Sequence, residues 1–216
     1  MWIKDLLLDI FFPKFCLICK REGDFLCEDC QALFQISGFH QKYSTQNLKD
    51  LYFPAVYQNG FLRRLIKQFK YEPLVKELAS SLSSLIIAHF QLMDNKPDFS
   101  DFILIPVPQT RKREKSRGFN PALELGKELS GFFRISLING CLAKIKETPP
   151  QAELSNEKRK ENVKGSFSCR SPDLIKNRRI ILVDDVYTTG STMEECARVL
   201  KMAGAKEIVG VVVARG

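Results

Sequence analysis

One segment, Arg179 to Thr192, limits the folds open to this chain more than any other. Its sequence is RIILVDDVYTTGST, an apolar run that ends at Asp184 and Asp185 and is followed by small hydroxylated residues. A continuous apolar run indicates a buried strand of a parallel sheet, and the apolar spacing over 191–205 predicts a helix directly after it. Because ligands bind at the carboxyl ends of such strands, the segment predicts a ligand site at the two aspartates.

The turn between this strand and its helix has the composition of a phosphate cradle. A glycine permits a backbone angle at which successive N–H groups converge on one anion, and the helix amino terminus adds its dipole. The cradle comprises Thr188, Thr189, Gly190, Ser191 and Thr192. The carboxylates of Asp184 and Asp185 can instead accept hydrogen bonds from the vicinal hydroxyls of a ribose. These groups together predict a ribose 5-phosphate site; the alternative is a structural turn with two solvated carboxylates.

The rest of the chain alternates strands and helices, which predicts a parallel α/β sheet. DFILIPVP (101–108) and EIVGVVVAR (207–215) are predicted strands of the same buried kind. LYFPAVYQ (51–58) is predicted at an edge, because Pro54 cannot donate to a central ladder. Helices are predicted over 61–90 with a break at Pro73, over 121–133 after an Asn120 cap, and from a Ser155 cap onward.

A basic loop is predicted after the strand over 101–108. It carries five cations within seven residues: Arg111, Lys112, Arg113, Lys115 and Arg117. The run leaves the same edge of the sheet as the phosphate turn, so it can neutralise a pyrophosphate or follow a nucleic-acid backbone. The alternative is a solvated charge run. The formal net charge of +8 favours anionic partners, whether phosphorylated metabolites, nucleic acid or acidic lipid.

The seven cysteines fall into two groups. Four of them form two C-x-x-C pairs separated by seven residues, namely Cys16, Cys19, Cys27 and Cys30. Four thiolates in this arrangement predict a closed tetrahedral metal site, with zinc favoured and iron left open by the ligands alone. The knuckle is predicted to be structural or to take part in recognition, and not to be catalytic, because all four ligands are protein thiolates. Cys141, Cys169 and Cys196 are predicted in the core, and neither His40 nor His89 is predicted to bind the metal.

The amino-terminal segment, MWIKDLLLDIFFP, is interrupted by charges and has no cleavage site, which argues against a signal peptide. It is also too short to span a bilayer. We predict an amphipathic helix packed on its own domain, with a contact at the inner membrane face as the alternative. The chain is expected to be cytoplasmic, with a head over residues 1–45 and a second domain over 46–216.

Several segments in order resemble the ComF-type competence family. They are the four-cysteine knuckle, LIKQFKY, IPVPQTRKREKSRGFN, TPPQAELSNEKRKENVKGSF and VDDVYTTGST. Thr148, Gln151, Leu154, Arg159, Asn162 and Phe167 fall on the family's intermediate motif. The chain departs from the pattern at Pro121, where glutamine is expected, and at Lys144 or Lys146, where arginine is usual. The resemblance implies an α/β, parallel-sheet type I phosphoribosyltransferase fold with a small N-terminal four-cysteine zinc knuckle.

The resemblance also implies roles for individual residues. Asp184 and Asp185 would hold the ribose hydroxyls of phosphoribosyl diphosphate as catalytic residues, and Thr188 to Thr192 would hold its 5-phosphate. Magnesium would accompany the diphosphate, and the family is associated with DNA uptake. The cations that would bind the diphosphate are Arg111, Arg113 and Arg117.

Two other functions stay open. One alternative is a non-catalytic factor that binds single-stranded DNA. The other is an active phosphoribosyltransferase of nucleotide metabolism with an unknown acceptor. The DNA surface would run from Arg111 to Arg117, and Phe119 either stacks on a base or anchors the following helix in the core. Assisting cations would be Lys158, Arg159 and Lys160.

Overall fold

The computed structural model describes residues 13–36, 38, 40, 42–71, 75–147 and 163–216. The predicted amino-terminal helix, the break at Pro73 and the helix predicted from Ser155 lie outside the described residues. So does most of the intermediate motif, together with Lys158, Arg159 and Lys160.

The fold is built on a parallel sheet flanked by a small antiparallel pair. The strands are β1 (Asp50–Tyr52), β2 (Ala55–Val56), β3 (Phe102–Pro106), β4 (Leu142–Lys144), β5 (Phe167–Cys169), β6 (Arg179–Tyr187) and β7 (Glu207–Arg215). The parallel sheet has the order β1-β7-β6-β3, and β2 also pairs with β7. β4 and β5 pair with each other. The predicted strands over 101–108, 179–186 and 207–215 are confirmed, and so is the edge position of the strand before Pro54.

The register leaves the end of β6 without a strand partner on the β3 side, and we refer to this place at the carboxyl edge of the sheet as the crevice. β3 pairs with β6 only as far as Pro106 opposite Val183. β7 continues beside β6 to the pair formed by Tyr187 and Arg215. The aspartates that follow Val183 therefore lie where β3 has already ended and where the chain after β3 turns away from the sheet.

Helices cover both faces of the sheet. They are α1 (Glu28–Ala32), α2 (Gly60–Lys70), α3 (Leu78–Leu92), α4 (Arg111–Arg117), α5 (Pro121–Phe133) and α6 (Ser191–Met202), with a 3-10 turn over Pro172–Leu174. Side chains alternate along β6, so that Ile181 and Val183 join the core formed with α2, α3 and α5. Ile180 and Leu182 join the opposite core, which contains α6 and the β4–β5 pair.

The predicted basic loop is a helix, α4, and that prediction is therefore wrong. The Thr110 hydroxyl accepts a long hydrogen bond from the N–H of Arg113 at 3.4 Å, and Gly118 ends the helix with a φ of 83°. A threonine N-cap and a left-handed glycine are strong helix boundaries, and they outweigh the mutual repulsion of the cations between them. The following helix is confirmed, since Asn120 caps α5 through the N–H of Ala122.

The cysteine knuckle shares its apolar core with the larger part of the chain. Cys16, Cys30 and Phe34 belong to the same buried cluster as the inner face of α3. Gly38 lies directly against the backbone of Leu92 at the end of α3, where a side chain would have no room. In the part of the chain that the structure describes, no helix is long and apolar enough to cross a bilayer.

Candidate functional site

The turn after β6 has the backbone of a phosphate cradle. Gly190 adopts a φ of 75° as the N-cap of α6, and a Cβ at this position would overlap the Tyr187 hydroxyl. Only glycine fits such a position, and the first N–H groups of the 12-residue helix have no intrahelical partner. The hydroxyls of Thr189 and Ser191 lie 2.9 Å apart, whereas Thr188 is exposed. The geometry therefore brings a helix N-terminus to the end of β6, an arrangement that suits an anionic ligand.

Asp185 is bound to a lysine from another helix. Its Oδ1 atom lies 2.7 Å from the Nζ atom of Lys70, the last residue of α2, and these side chains are only 5% and 23% exposed. Asp185 is therefore not a solvated carboxylate, and the alternative of a turn with two solvated carboxylates does not hold for this residue. Removing its carboxylate would leave the lysine without its partner in a buried site, which is costly.

Asp184 lies in a different environment. Its Oδ1 atom accepts a hydrogen bond from the N–H of Asp185 at 2.9 Å. Burial, followed by the charge of Asp185, raises the pKa of Asp184 to about 8. The Cys196 thiol of α6 interacts with Asp184, and burial raises the pKa of this thiol well above its usual range. The two carboxylates thus carry less than two full negative charges near neutral pH.

Arg117 faces the same crevice from the end of α4. It is half-buried and is attracted to Asp185, and its guanidinium carbon lies 5.8 Å from the centre of the Tyr71 ring. Burial lowers the pKa of Arg117. Its Nη1 atom is buried without a hydrogen-bond partner among the described residues. A buried guanidinium N–H with no protein acceptor suits an anionic ligand.

The structure brings together part of the predicted site and adds two lysines to it. Lys70 and Lys144 were not predicted; burial lowers the pKa of Lys144, and Arg113 lowers it further. Arg113 and Arg117 are four residues apart and so share one face of α4. Arg111 is exposed at the start of α4, about 9 Å along the helix from Arg117. In the sequence, Lys70 could have been found from its position in LIKQFKY, directly after Phe69, the last buried residue of α2.

The four cysteines converge as predicted. All four sulfur atoms lie within 4.8 Å of one another, and those of Cys19 and Cys27 are 3.6 Å apart. Four sulfurs at about 2.3 Å from a tetrahedral zinc ion would be about 3.8 Å apart, so the cluster fits structural zinc. The first pair encloses a tight turn in which the Lys20 N–H donates to the Cys16 carbonyl at 2.8 Å. Cys27 caps α1, and Cys30 lies in its first turn.

The chemistry of the sulfurs also favours a cation at this place. Burial raises the pKa of Cys16, whereas the N–H groups of Cys19, Cys27 and Ile18 lower it, with a net value of about 6. Burial and the neighbouring sulfurs raise the pKa of Cys30 to about 12. The raised pKa of Cys30 reflects the crowding of negative charge among the sulfurs, and a bound metal ion would compensate this charge.

The remaining cysteines and the histidines are packing residues. Cys141 and Cys196 are buried as predicted, while Cys169 is half-buried. The His40 Nε2 atom lies 3.0 Å from Asp50 Oδ2, and its ring stacks on Tyr52. Neither His40 nor His89 belongs to the described metal cluster.

Comparisons with known proteins agree with this geometry. A family model described as a phosphoribosyl transferase domain matches residues 117–216. Over 106 residues the chain is 40% identical to Competence protein F of Haemophilus influenzae, covering 49% of this chain and 46% of that protein. Over 156 residues it is 32% identical to DNA utilization protein YhgH of Shigella flexneri, covering 68% and 64%. Over 198 residues it is 26% identical to Competence protein ComFC of Streptococcus pneumoniae, covering 88% and 74%.

The parallel sheet, the cradle after β6 and the matching domain model define a protein with a type I phosphoribosyltransferase fold and a four-cysteine knuckle. The chain spans about half of the first of these relatives and just under two thirds of the second. The similarity to these relatives, together with the matching domain, supports assignment of the chain to the ComF-type family.

Proposed function

We propose that this chain binds phosphoribosyl diphosphate, or a related ribose phosphate, at the carboxyl end of β6 and acts in DNA uptake. One observation carries the proposal: the terminus of α6 lies directly beside two carboxylates that interact with three cations, Lys70, Arg117 and Lys144. A fourth cation, Arg113, interacts with Arg117 and Lys144. The names of the relatives, which refer to competence and to DNA utilization, support the biological role.

In this proposal each part of the site takes one part of the ligand. Thr188 to Thr192 hold the 5-phosphate through N–H groups and hydroxyls. Asp184 and Asp185 accept hydrogen bonds from the ribose hydroxyls, and Arg117 with Arg113 binds the diphosphate. Magnesium would arrive with the diphosphate, held mainly by ligand oxygens and water, and would neutralise charge on the leaving group. Arg111 is left as a longer-range cation.

Calorimetry with magnesium phosphoribosyl diphosphate and with ribose 5-phosphate tests the cradle. Thr189→Val removes one hydroxyl without changing the size of the side chain. Losing a hydrogen bond to a charged phosphate weakens affinity for both ligands by roughly 10- to 100-fold. Ser80→Ala, at an exposed position of α3, is the matched control. Equal affinity of wild type and Thr189→Val for both ligands would place the phosphate elsewhere.

A second function, binding of single-stranded DNA, is favoured by the outer face of α2. This helix has no acidic residue, and none of the described ion pairs involves Arg63, Arg64 or Lys67. Phe61 and Tyr71 are exposed to 52% and 62% at its two ends. Exposed cations alternating with aromatic rings suit a single strand, whose phosphates bind cations while its bases stack on rings.

The structure decides between the two alternatives for Phe119. Phe119 is buried and packs on Phe69 with ring centroids 5.6 Å apart, so it anchors α5 in the core and does not face solvent. Tyr71 takes over the proposed stacking role. Its contact with Arg117 joins the outer face of α2 to the cations of α4.

Fluorescence anisotropy with a labelled single-stranded oligonucleotide over a salt series separates the two kinds of contact. Arg64→Ala/Lys67→Ala should lower the slope of log affinity against log salt by about 1.4, since each phosphate contact contributes about 0.7. Tyr71→Leu should weaken binding by about 5- to 150-fold at an unchanged slope, and Tyr71→Phe should restore it. Lys176→Ala/Arg178→Ala removes equal charge at the opposite edge of the sheet. If this control weakens DNA binding as much as the α2 variant does, the DNA does not bind specifically to the outer face of α2.

A further inference from the structure

Lys70 is the one cation that contacts either aspartate at ion-pair distance among the described residues. Its Nζ atom lies 2.7 Å from Oδ1 of Asp185. The lysine ends α2, a helix that packs through Leu65, Ile66 and Phe69 and so holds its last residue in a fixed place. The ion pair therefore fixes the carboxylate of Asp185 at the end of β6, beside the cradle.

The surroundings make this pair stronger than an exposed ion pair. Burial lowers the pKa of Lys70, but attraction to Asp185 and then to Asp184 outweighs burial and leaves the pKa raised. The lysine therefore stays charged although it is largely removed from water. Conversely, Lys70 lowers the pKa of Asp184, which burial and Asp185 raise. One ammonium group thus acts on both carboxylates.

We infer that Lys70 is a positioning residue: it fixes the orientation of Asp185 and favours the charged form of the aspartate pair, so that both carboxylates can accept the ribose hydroxyls. This inference rests on the proposed binding of a phosphoribosyl ligand. Lys70 acts through the aspartates and need not touch the ligand.

The other groups around the pair cannot replace Lys70. Arg117 lies against the Tyr71 ring and acts on Asp185 without a described ion pair, and Lys144 has its own contact with the Phe167 ring at 5.4 Å. The charged and titratable groups that face the pair, taken element by element, are Lys70 and Tyr71 at the end of α2, Arg117 on α4, Lys144 on β4 and Cys196 on α6.

Titration of the ligand-free protein tests the inference without any substrate. Lys70→Met removes the charge at nearly constant length, Lys70→Arg keeps it, and Lys67→Met is the matched control on the exposed face of the same helix. Carbon-13 NMR of the Asp184 carboxyl group should give a midpoint near 8 in wild type. In Lys70→Met we expect a rise of about one pH unit or more, and no change in the other two variants. Lys70→Gln serves as a second uncharged variant where Lys70→Met does not fold.

Calorimetry with magnesium phosphoribosyl diphosphate at pH 7, 8 and 9 supplies the second readout. The ligand's phosphates have already titrated below this range. We expect Lys70→Met to bind at least 10-fold more weakly than wild type at pH 7. This difference should narrow by pH 9, because the carboxylates of the variant charge about one pH unit above those of wild type. Lys70→Arg should bind within a few-fold of wild type.

Two outcomes would overturn the inference. An unmoved Asp184 midpoint would show that Lys70 does not control the charge of the pair. An equal loss of affinity at all three pH values would show that Lys70 binds a ligand phosphate directly. If wild type fails to bind the ligand while the midpoint still moves, the proposed function fails and the control of the carboxylates by Lys70 stands.

Discussion

Asp184 and Asp185 are neighbours of identical chemistry, yet the alternation of side chains along β6 directs them to different partners. Asp185 is buried against Lys70, whereas Asp184 interacts electrostatically with Cys196 and has its pKa raised to about 8. The sequence alone was enough to pick out both residues, because they end a buried strand before a glycine turn. It could not supply their partners, since Lys70 comes from a helix that is distant along the chain.

The raised pKa of Asp184 leads to a prediction about stability. An aspartate in the unfolded chain ionises near pH 4, whereas Asp184 holds its proton to about pH 8 in the folded protein. Between these values the folded state binds the extra proton, so this residue makes the protein less stable as the pH rises. Asp184→Asn should melt like wild type near pH 4 and at progressively higher temperature than wild type up to about pH 8.

Thermal melting followed by circular dichroism from pH 4 to pH 9 measures this difference. Asp173→Asn, at an exposed position of the 3-10 turn, is the matched control. A melting difference between Asp184→Asn and wild type that is the same at every pH would contradict the environment that we assign to Asp184.

At the level of elements, the sequence predicted buried strands well and one connection badly. β3, β6 and β7 are continuous apolar runs, and long-range packing confirms what their local pattern indicates. The chain over 111–117 carries only charged and polar residues, which provide no apolar face for a helix prediction. Thr110 and Gly118 flank it with helix boundaries, and these short-range signals decided the structure.

Asn120 ties the next helix, α5, to the end of β3. Its Oδ1 atom accepts the N–H of Ala122 at 3.1 Å, and its Nδ2 group donates to the carbonyl of Val107 at 3.1 Å. Asn120→Ala would remove both bonds at a buried position, and we expect a loss of about 2 kcal/mol in the free energy of unfolding. Urea denaturation measures it.

Asn120→Asp separates the two contributions of this side chain. It keeps the cap but brings a carboxylate against the Val107 carbonyl, so at neutral pH it should be no more stable than Asn120→Ala. A destabilisation by Asn120→Ala below about 0.5 kcal/mol would mean that the bond to Val107 does not form in solution.

At the scale of the whole molecule, the cationic groups lie at the carboxyl edge of the sheet, whereas the knuckle lies on the apolar core. The net charge of +8 is concentrated in part at the carboxyl edge, where α2, α4 and β4 each bring a cation to the crevice. The knuckle lies on the core beside α3 and contributes buried sulfurs to it. We propose that residues 1–45 form a zinc-stabilised head that completes this core. Spacing alone predicted the ligands, but not that they would share a cluster with α3.

Loss of the metal should therefore destabilise more than the knuckle. Wild type should contain about one zinc per chain by elemental analysis, and Cys19→Ser or Cys30→Ser should lose it, because three thiolates hold zinc poorly. Without the ion, four crowded sulfurs and the apolar residues around them no longer pack on α3, so the melting temperature of the whole chain should fall. Cys169→Ser, a half-buried cysteine outside the cluster, should keep its zinc and serves as the control. A zinc-free variant that melts as wild type would show that the head does not support the core.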